Sequence, residues 1–294
     1  MKRTLQTLSI LLVVGLMTFS YMSQAIERVV IYSWPKSMHA DERGSYPIEL
    51  LKLALSKSDH SFVARPSEFA MSQYRTLKQL ELGVGIDVVW TMTNLEREQQ
   101  LRPIRIPIDR GLIGWRLLAI KQQEFSVFQN LLDENELRNM LTVQGTDWPD
   151  FTILQSNGFK VVPSNYFEGM YRMLQMGRIR FFARSLTEIT PELISLKDTK
   201  TPIVVAPRWV LHYPAALYFF VRKGDDELAQ AIEKGLEVAI ADGSMKQLFL
   251  QHFQTALDSA KIYDRQVVSL TNITLPHTTP IKRMELWYDP VKGY

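Results

Sequence analysis

The 294-residue chain contains no cysteine. Its absence excludes disulfides, a thiol nucleophile, an iron–sulfur cluster and a Cys-ligated zinc site, and equally a lipid carried on an N-terminal cysteine. Histidine is scarce. His39, His60, His212, His252 and His277 are scattered, with no i,i+4 pair and no H-E-x-x-H pattern for zinc. There is no G-x-S-x-G elbow and no G-x-x-x-x-G-K-[ST] loop, so two common routes to catalysis lack their motifs. Neither sign of charge dominates: 34 basic and 31 acidic residues give a formal +3, which is no nucleic-acid footprint. Long apolar runs are missing too. The most apolar stretch, Leu8 to Phe19, is about a dozen residues, short for a bilayer core of about 30 Å at 1.5 Å per residue.

What is present begins with that stretch. It follows Lys2 and Arg3 and precedes Ser23-Gln24-Ala25, the basic, apolar and small-residue order of a secretory signal peptide. Cleavage is expected after Ala25, so that an exported chain begins at Ile26. Losing Lys2 and Arg3 takes the formal charge from +3 to +1. The remainder is long enough for one large or two modest domains with an ample core.

Strand and helix patterns then alternate. Val29–Ser33 reads as a strand. Ser45 and Pro47 open a helix with Ile48, Leu51 and Leu55 at helical spacing. Strands are expected at Phe62–Arg65, Ile86–Trp90, Met140–Val143, Lys160–Val162, Phe181–Ala183 and Ile203–Ala206. Helices are expected at Tyr74–Leu82 and Trp148–Asn157, and in a segment capped by Asn165 and Glu168 that runs to Met176. Leu228, Ile232, Leu236 and Ile240 make a core-facing stripe on a late helix. The repetition predicts an α/β fold with mostly parallel, helix-covered sheets. Two lobes are expected, with crossovers near Leu117–Ile120 and Pro207–Tyr218. Lobe 1 takes 26–118 and 214–260, lobe 2 takes 119–213, and 261–294 forms a C-terminal extension. That extension has scattered prolines and no apolar period. It reads either as a tail wrapped over a lobe or as a partner contact.

Ligands of open α/β sheets sit outside the carboxyl ends of the strands. Trp90, Thr91, Thr93 and Arg97 follow the third expected strand. The threonines offer hydroxyls and backbone N–H groups near a helix start, and Arg97 offers a two-pronged guanidinium for a carboxylate. Position alone leaves open that Arg97 is a solvated helix residue paired with Glu96 or Glu98. Gly145, Thr146 and Asp147 form a turn at another helix start, equally readable as a plain N-cap. Trp34, Tyr46, Trp90 and Trp148 are candidate aromatic walls. Trp34 is favoured because Pro35 stiffens its loop.

Two segments, Gly85 to Ile120 and Tyr213 to Phe253 (YPAALYFFVRKGDDELAQAIEKGLEVAIADGSMKQLFLQHF), together resemble the periplasmic solute-binding proteins of family 3, the amino-acid-binding family. The resemblance, over roughly Val29 to Phe253, implies a two-lobed type 2 periplasmic-binding-protein architecture with two hinge crossovers. It implies that Arg97 holds a ligand carboxylate, that Gly145 and Thr146 close on it, and that an aromatic after the first strand covers the ligand's side chain. It departs from the family at Gly177-Arg178-Ile179-Arg180-Phe181-Phe182-Ala183-Arg184, where relatives carry an Asp that neutralises the ligand's α-amino group. Arg184 in that place argues for an anionic ligand, unless Asp147 or Glu188 receives an amine. The implied function is capture of a small carboxylate-bearing solute in the periplasm for the permease of an ABC-type transporter. The other reading is a degenerate cleft serving a periplasmic sensor domain or another envelope protein. No catalysis, cofactor, metal or nucleic acid is expected, and a monomer is.

Overall fold

The computed structural model describes residues 28–33, 45–196 and 200–293. Trp34 and the expected signal peptide, with its expected cut after Ala25, lie outside the described residues. In chain order the elements are β1 (Arg28–Tyr32), α1 (Ser45–Ser56), β2 (Phe62–Pro66), α2 (Gln73–Leu82), β3 (Val88–Met92), α3 (Leu95–Gln100) and β4 (Leu101–Ile104). There follow β5 (Trp115–Lys121), α4 (Phe125–Gln129), α5 (Glu134–Asn139), β6 (Leu141–Gly145), α6 (Pro149–Ser156), β7 (Lys160–Ser164), α7 (Phe167–Gln175), β8 (Phe182–Ser185) and α8 (Leu186–Ser195). The chain ends with β9 (Ile203–Val205), β10 (Trp209–His212), β11 (Leu217–Arg222), α9 (Asp226–Ala241), α10 (Ser244–Ala260) and β12 (Gln266–Ser269).

The first lobe is a sheet in the order β2-β1-β3-β11-β4. β1 runs parallel to β2 and β3, while the late strand β11 inserts antiparallel between β3 and β4. The stripe read from sequence packs here: Leu228, Ile232 and Leu236 of α9 are fully buried, and α9 lies on α1. Their approach depends on Gly235, where an added Cβ would lie 1.8 Å from the carbonyl oxygen of Ala54. Only a residue without that carbon lets the two backbones close to this distance.

The second lobe is a sheet in the order β12-β10-β5-β8, with β9 pairing the end of β5. The parallel pair β6-β7 joins it through a bridge between Thr142 and Phe181. All of β5 belongs to this lobe, since Arg116 to Ala119 pair with β8. The first crossover therefore occupies 105–114, upstream of the expected Leu117–Ile120. The apolar run there is strand core, not hinge. The second crossover, 213–216, falls within the expected stretch. Where the crossovers meet the second lobe, the rings of Trp115 and His212 stack at 4.0 Å. The capping box expected at Asn165 and Glu168 does not form. α7 starts after Tyr166, whose N–H donates to the Ser164 hydroxyl and closes the turn one step later.

The C-terminal extension is docked throughout its described length. β12 pairs parallel with β10, and the following residues cross back to the first lobe. Among the described residues no helix is long and apolar enough to cross a membrane.

Candidate functional site

Arg97 stands at the centre of the interface between the lobes. Asn94 caps α3 by accepting the Arg97 N–H at 2.7 Å, which fixes the residue one turn beyond the end of β3. The side chain folds back and is 5% exposed. Nη1 donates to Thr91 Oγ1 at 2.8 Å and to the Met92 carbonyl at 2.6 Å. Nη2 donates to Gln73 Oε1 and, on the other lobe, to the carbonyl of Asp147, each at 2.9 Å. All four acceptors are neutral. Among the described residues no carboxylate lies within ion-pair distance, and the nearby Glu98 pairs with Arg105. Burial lowers the guanidinium pKa to about 10, and the charges of Asp147, Asp150 and Glu96 oppose that shift. A buried cation with neutral partners is costly, and a carboxylate brought to it would offset that cost.

The neighbouring elements fix what else can reach a ligand. Thr91 already accepts from Arg97. Thr93 is fully buried, with its N–H on the Ala216 carbonyl and its hydroxyl on Glu98 Oε1. The N–H groups at the start of α3 are likewise engaged: Leu95 donates to the Thr274 carbonyl, Arg97 to Asn94. These bonds take up the threonine hydroxyls and the Leu95 and Arg97 N–H groups of the expected anion site. The contact of that element with the other lobe runs through the Arg97 guanidinium.

In the second lobe, Gly145 ends β6, and a Cβ there would lie 2.5 Å from the Trp148 ring. Thr146 and Asp147 are exposed at the cleft edge, with the Thr146 N–H on the Ser164 carbonyl and the Asp147 carbonyl on Arg97. Arg184 does not present a charge to the cleft. It is 4% exposed and bound in a two-pronged fashion to Glu192, with Nη2 2.6 Å from Oε1 and Nε 2.9 Å from Oε2. Its Nη2 also lies 3.0 Å from Glu188 Oε2. The guanidinium carbon lies 4.9 Å from the Trp148 ring centroid and 5.1 Å from that of Phe182. Burial works to lower its pKa, but Glu188 and Glu192 of α8 outweigh it and hold the value above that of an ordinary arginine. The expectation that Arg184 recruits a second anionic group is corrected on this ground: Glu188 and Glu192 already neutralise it.

A second buried cluster lies beside the first. Arg116 of β5 donates from Nε to the Tyr213 hydroxyl at 2.8 Å, and its Nη2 lies 2.6 Å from Asp150 Oδ1. Its Nη1 is 3.5 Å from Glu188 Oε2. Tyr213 donates to Asp150 in turn. Sequence reading missed Arg116, Asp150, Tyr213 and Glu192. The available signals were a lone arginine inside the apolar run Trp115–Ile120, and Glu188 and Glu192 one turn apart on a helix that begins just after Arg184. Arg97, Arg116 and Arg184 against Asp150, Glu188 and Glu192 make a charge-balanced set.

Two aromatic candidates stand apart from this set. Tyr46 is buried in the first lobe against Phe249 and Phe253, with its hydroxyl on the Ile108 carbonyl at 2.5 Å, so its faces are occupied by protein. Trp90 is half-buried beside Tyr32. Among the described residues no group of three or more His, Asp or Glu is placed to hold a metal ion.

No family model matches the sequence, and no curated protein sequence matches it. Solved structures do match. An arginine-specific periplasmic binding protein of Salmonella typhimurium superposes with a TM-score of 0.57 at 15% identity, over 77% of this chain and 99% of its own. A probable amino-acid ABC transporter extracellular-binding protein of Bacillus subtilis gives 0.56 at 17%, over 77% and 97%. A histidine kinase sensor domain similar to periplasmic binding proteins gives 0.57 at 15%, over 77% and 96%. The likeness is one of two-lobed fold.

Proposed function

We propose that this chain, which has the two-lobed type 2 periplasmic-binding-protein fold, is a periplasmic solute-binding protein that takes a small carboxylate-bearing solute between its lobes. One observation carries the reading: Arg97 is a buried guanidinium with four neutral acceptors, one of them contributed by the opposite lobe. A solute carboxylate would replace Gln73 and the Asp147 carbonyl, both at exposed residues that water can satisfy after release. The charge-balanced floor narrows the class further. A solute of net zero charge, a carboxylate for Arg97 with a cationic group directed toward Glu188, leaves no net charge buried, whereas a dianion leaves two. Closure follows from differential affinity, because a ligand touching both lobes stabilises the closed form over the open one.

The partner proposed is the permease of an ABC-type transporter. A sensor domain is the second reading, favoured by the match to a histidine kinase sensor of the same fold. The test is a thermal-shift screen of the chain from Ile26 onward with amino acids, dicarboxylates, sugars and short peptides. A ligand at about 100 times its Kd adds roughly 2.7 kcal/mol, a readily visible shift. The expected result is a hit among zwitterions that disappears in Arg97→Ala. A hit that survives Arg97→Ala, or one confined to neutral sugars, refutes the anchor.

A further inference from the structure

Two crossovers join the lobes in the chain's main path, and the residues after β12 make a third connection of a different kind. On the second lobe, the Leu270 N–H donates to the His212 carbonyl at 2.8 Å. Thr271 and Asn157 then bond reciprocally, the Thr271 N–H to Asn157 Oδ1 at 3.0 Å and Asn157 Nδ2 to the Thr271 carbonyl at 2.8 Å. Asn272 donates to the Pro214 carbonyl in the second crossover. Three residues beyond Thr271 the chain is fastened to the first lobe, where the Thr274 carbonyl accepts the Leu95 N–H at 3.1 Å. Thr278 adds a bond to Glu98, and Arg283 pairs with Glu237 of α9 at 2.7 Å. Leu95 and Glu98 flank Arg97 on the six-residue helix α3.

The same segment ends on the first crossover. The Tyr288 N–H donates to the Arg110 carbonyl at 2.8 Å, and the Trp287 ring fills the space that a Cβ on Gly111 would occupy. The Arg110 guanidinium lies over the rings of Phe249 and Tyr288, at 5.4 and 5.6 Å. Arg110 itself has φ 53°, a left-handed conformation that costs a residue with a side chain of order 1 kcal/mol and persists where the surroundings impose it.

We propose that residues 270–289 are a tether that limits separation of the lobes and sets their open–closed balance, whatever the cleft holds. The geometry gives the limit. Between the fastening of Thr271 to one lobe and of Thr274 to the other lie three residue steps, which span at most about 10 Å when fully extended. Opening beyond that reach breaks either the Asn157 bonds or the Leu95 bond. The tether also holds the first turn of α3, so it positions the Arg97 guanidinium as well as restraining the lobes.

The absence of cysteine allows a direct test, because two introduced cysteines are the only labelling sites. Arg75→Cys in α2 and Glu168→Cys in α7, both exposed and on opposite lobes, carry spin labels for a distance distribution without added ligand. An eight-residue Gly/Ser insertion between Asn272 and Ile273 lengthens the tether. The same insertion after Lys292 leaves its length unchanged. Expected is one short, narrow distribution in the parent and in the Lys292 insertion, with a longer population added by the Asn272 insertion. Asn157→Ala, which removes both bonds to Thr271, shifts the distribution the same way and covers the case of an insertion that does not fold. Identical distributions in the parent, the Asn272 insertion and Asn157→Ala overturn the proposal.

Discussion

Replacing Arg97 and Arg184 by methionine, one at a time, separates two buried arginines that look alike in sequence. Arg184 is fully compensated: Glu192 accepts two-pronged bonds, Glu188 lies at 3.0 Å, and Tyr171 donates to Glu192 at 2.5 Å. Removing the cation leaves Glu192, 1% exposed, without its counter-charge. Breaking a buried pair in this way costs about 3–5 kcal/mol. For a chain of this size that is a fall in Tm of roughly 10 °C. Among the described residues Arg97 has no carboxylate within ion-pair distance to strand. The lowering of its pKa to about 10 corresponds to about 3 kcal/mol of penalty on the charged form, which the substitution removes. Against that gain stand the bonds to Thr91 and to the Met92 carbonyl, about 1–3 kcal/mol for buried groups left unpaired. The two effects nearly cancel. Scanning calorimetry of Arg97→Met should place its Tm within about 3 °C of the parent. A loss in Arg97→Met as large as in Arg184→Met would refute the argument, because it would make Arg97 a structural residue and leave the cleft without its anchor.

Two further outcomes follow from buried groups. Gly235→Ala sets a methyl against the Ala54 carbonyl, an overlap that forces α1 and α9 apart and costs about 1–3 kcal/mol in a denaturant titration. The two perturbed groups near the crossovers act in opposite directions with pH. Burial raises Asp109 to about 7 against the N–H bonds of Gly111 and Ile113 and the charge of Arg116, so the folded state holds a proton that the unfolded state has released. Its contribution to stability declines as pH rises from about 4 to about 7. Burial lowers His212 to about 4, so its contribution declines as pH falls from about 6.5 to about 4. Together they flatten the profile of the parent. Asp109→Asn should expose the histidine slope, and His212→Phe, which keeps a ring on Trp115, the opposite slope, each about 3–4 kcal/mol across its window. Parallel profiles for the two variants in thermal melts from pH 4 to 7.5 would exclude these assignments.

The elements most legible in sequence are those with a strong local period. The strands around Val30 and Val88, the α1 pattern and the stripe from Leu228 to Leu236 form as read and pack as read. Arg97 could be found because it follows a strand at the end of an apolar run. Its lack of a carboxylate partner could not, since Glu96 and Glu98 adjoin it in sequence and only the fold sends Glu98 to Arg105. Arg184 differs for the complementary reason: a charge in a site-like position reads as available, although its partners lie four and eight residues downstream. Tyr46 illustrates a further limit, because an aromatic at a helix start gives no sign of whether it faces a cleft or, as here, Phe249 and Phe253. The extension had no period to read. β12 is four residues long, and pairing with β10, over fifty residues upstream, gives it its conformation.

The interleaving of the two sheets has a consequence for synthesis. β4 has one strand neighbour, β11, so residues 101–104 wait for residues 217–222 before they can pair. β10 in its turn waits for β12 at 266–269 to cover its second edge. A nascent chain emerging from its N-terminal end therefore cannot complete either sheet until most of its length is available, and contacts of such separation form slowly. The topology ties completion of both sheets to residues 217–269, so the two lobes are finished late and close together in time.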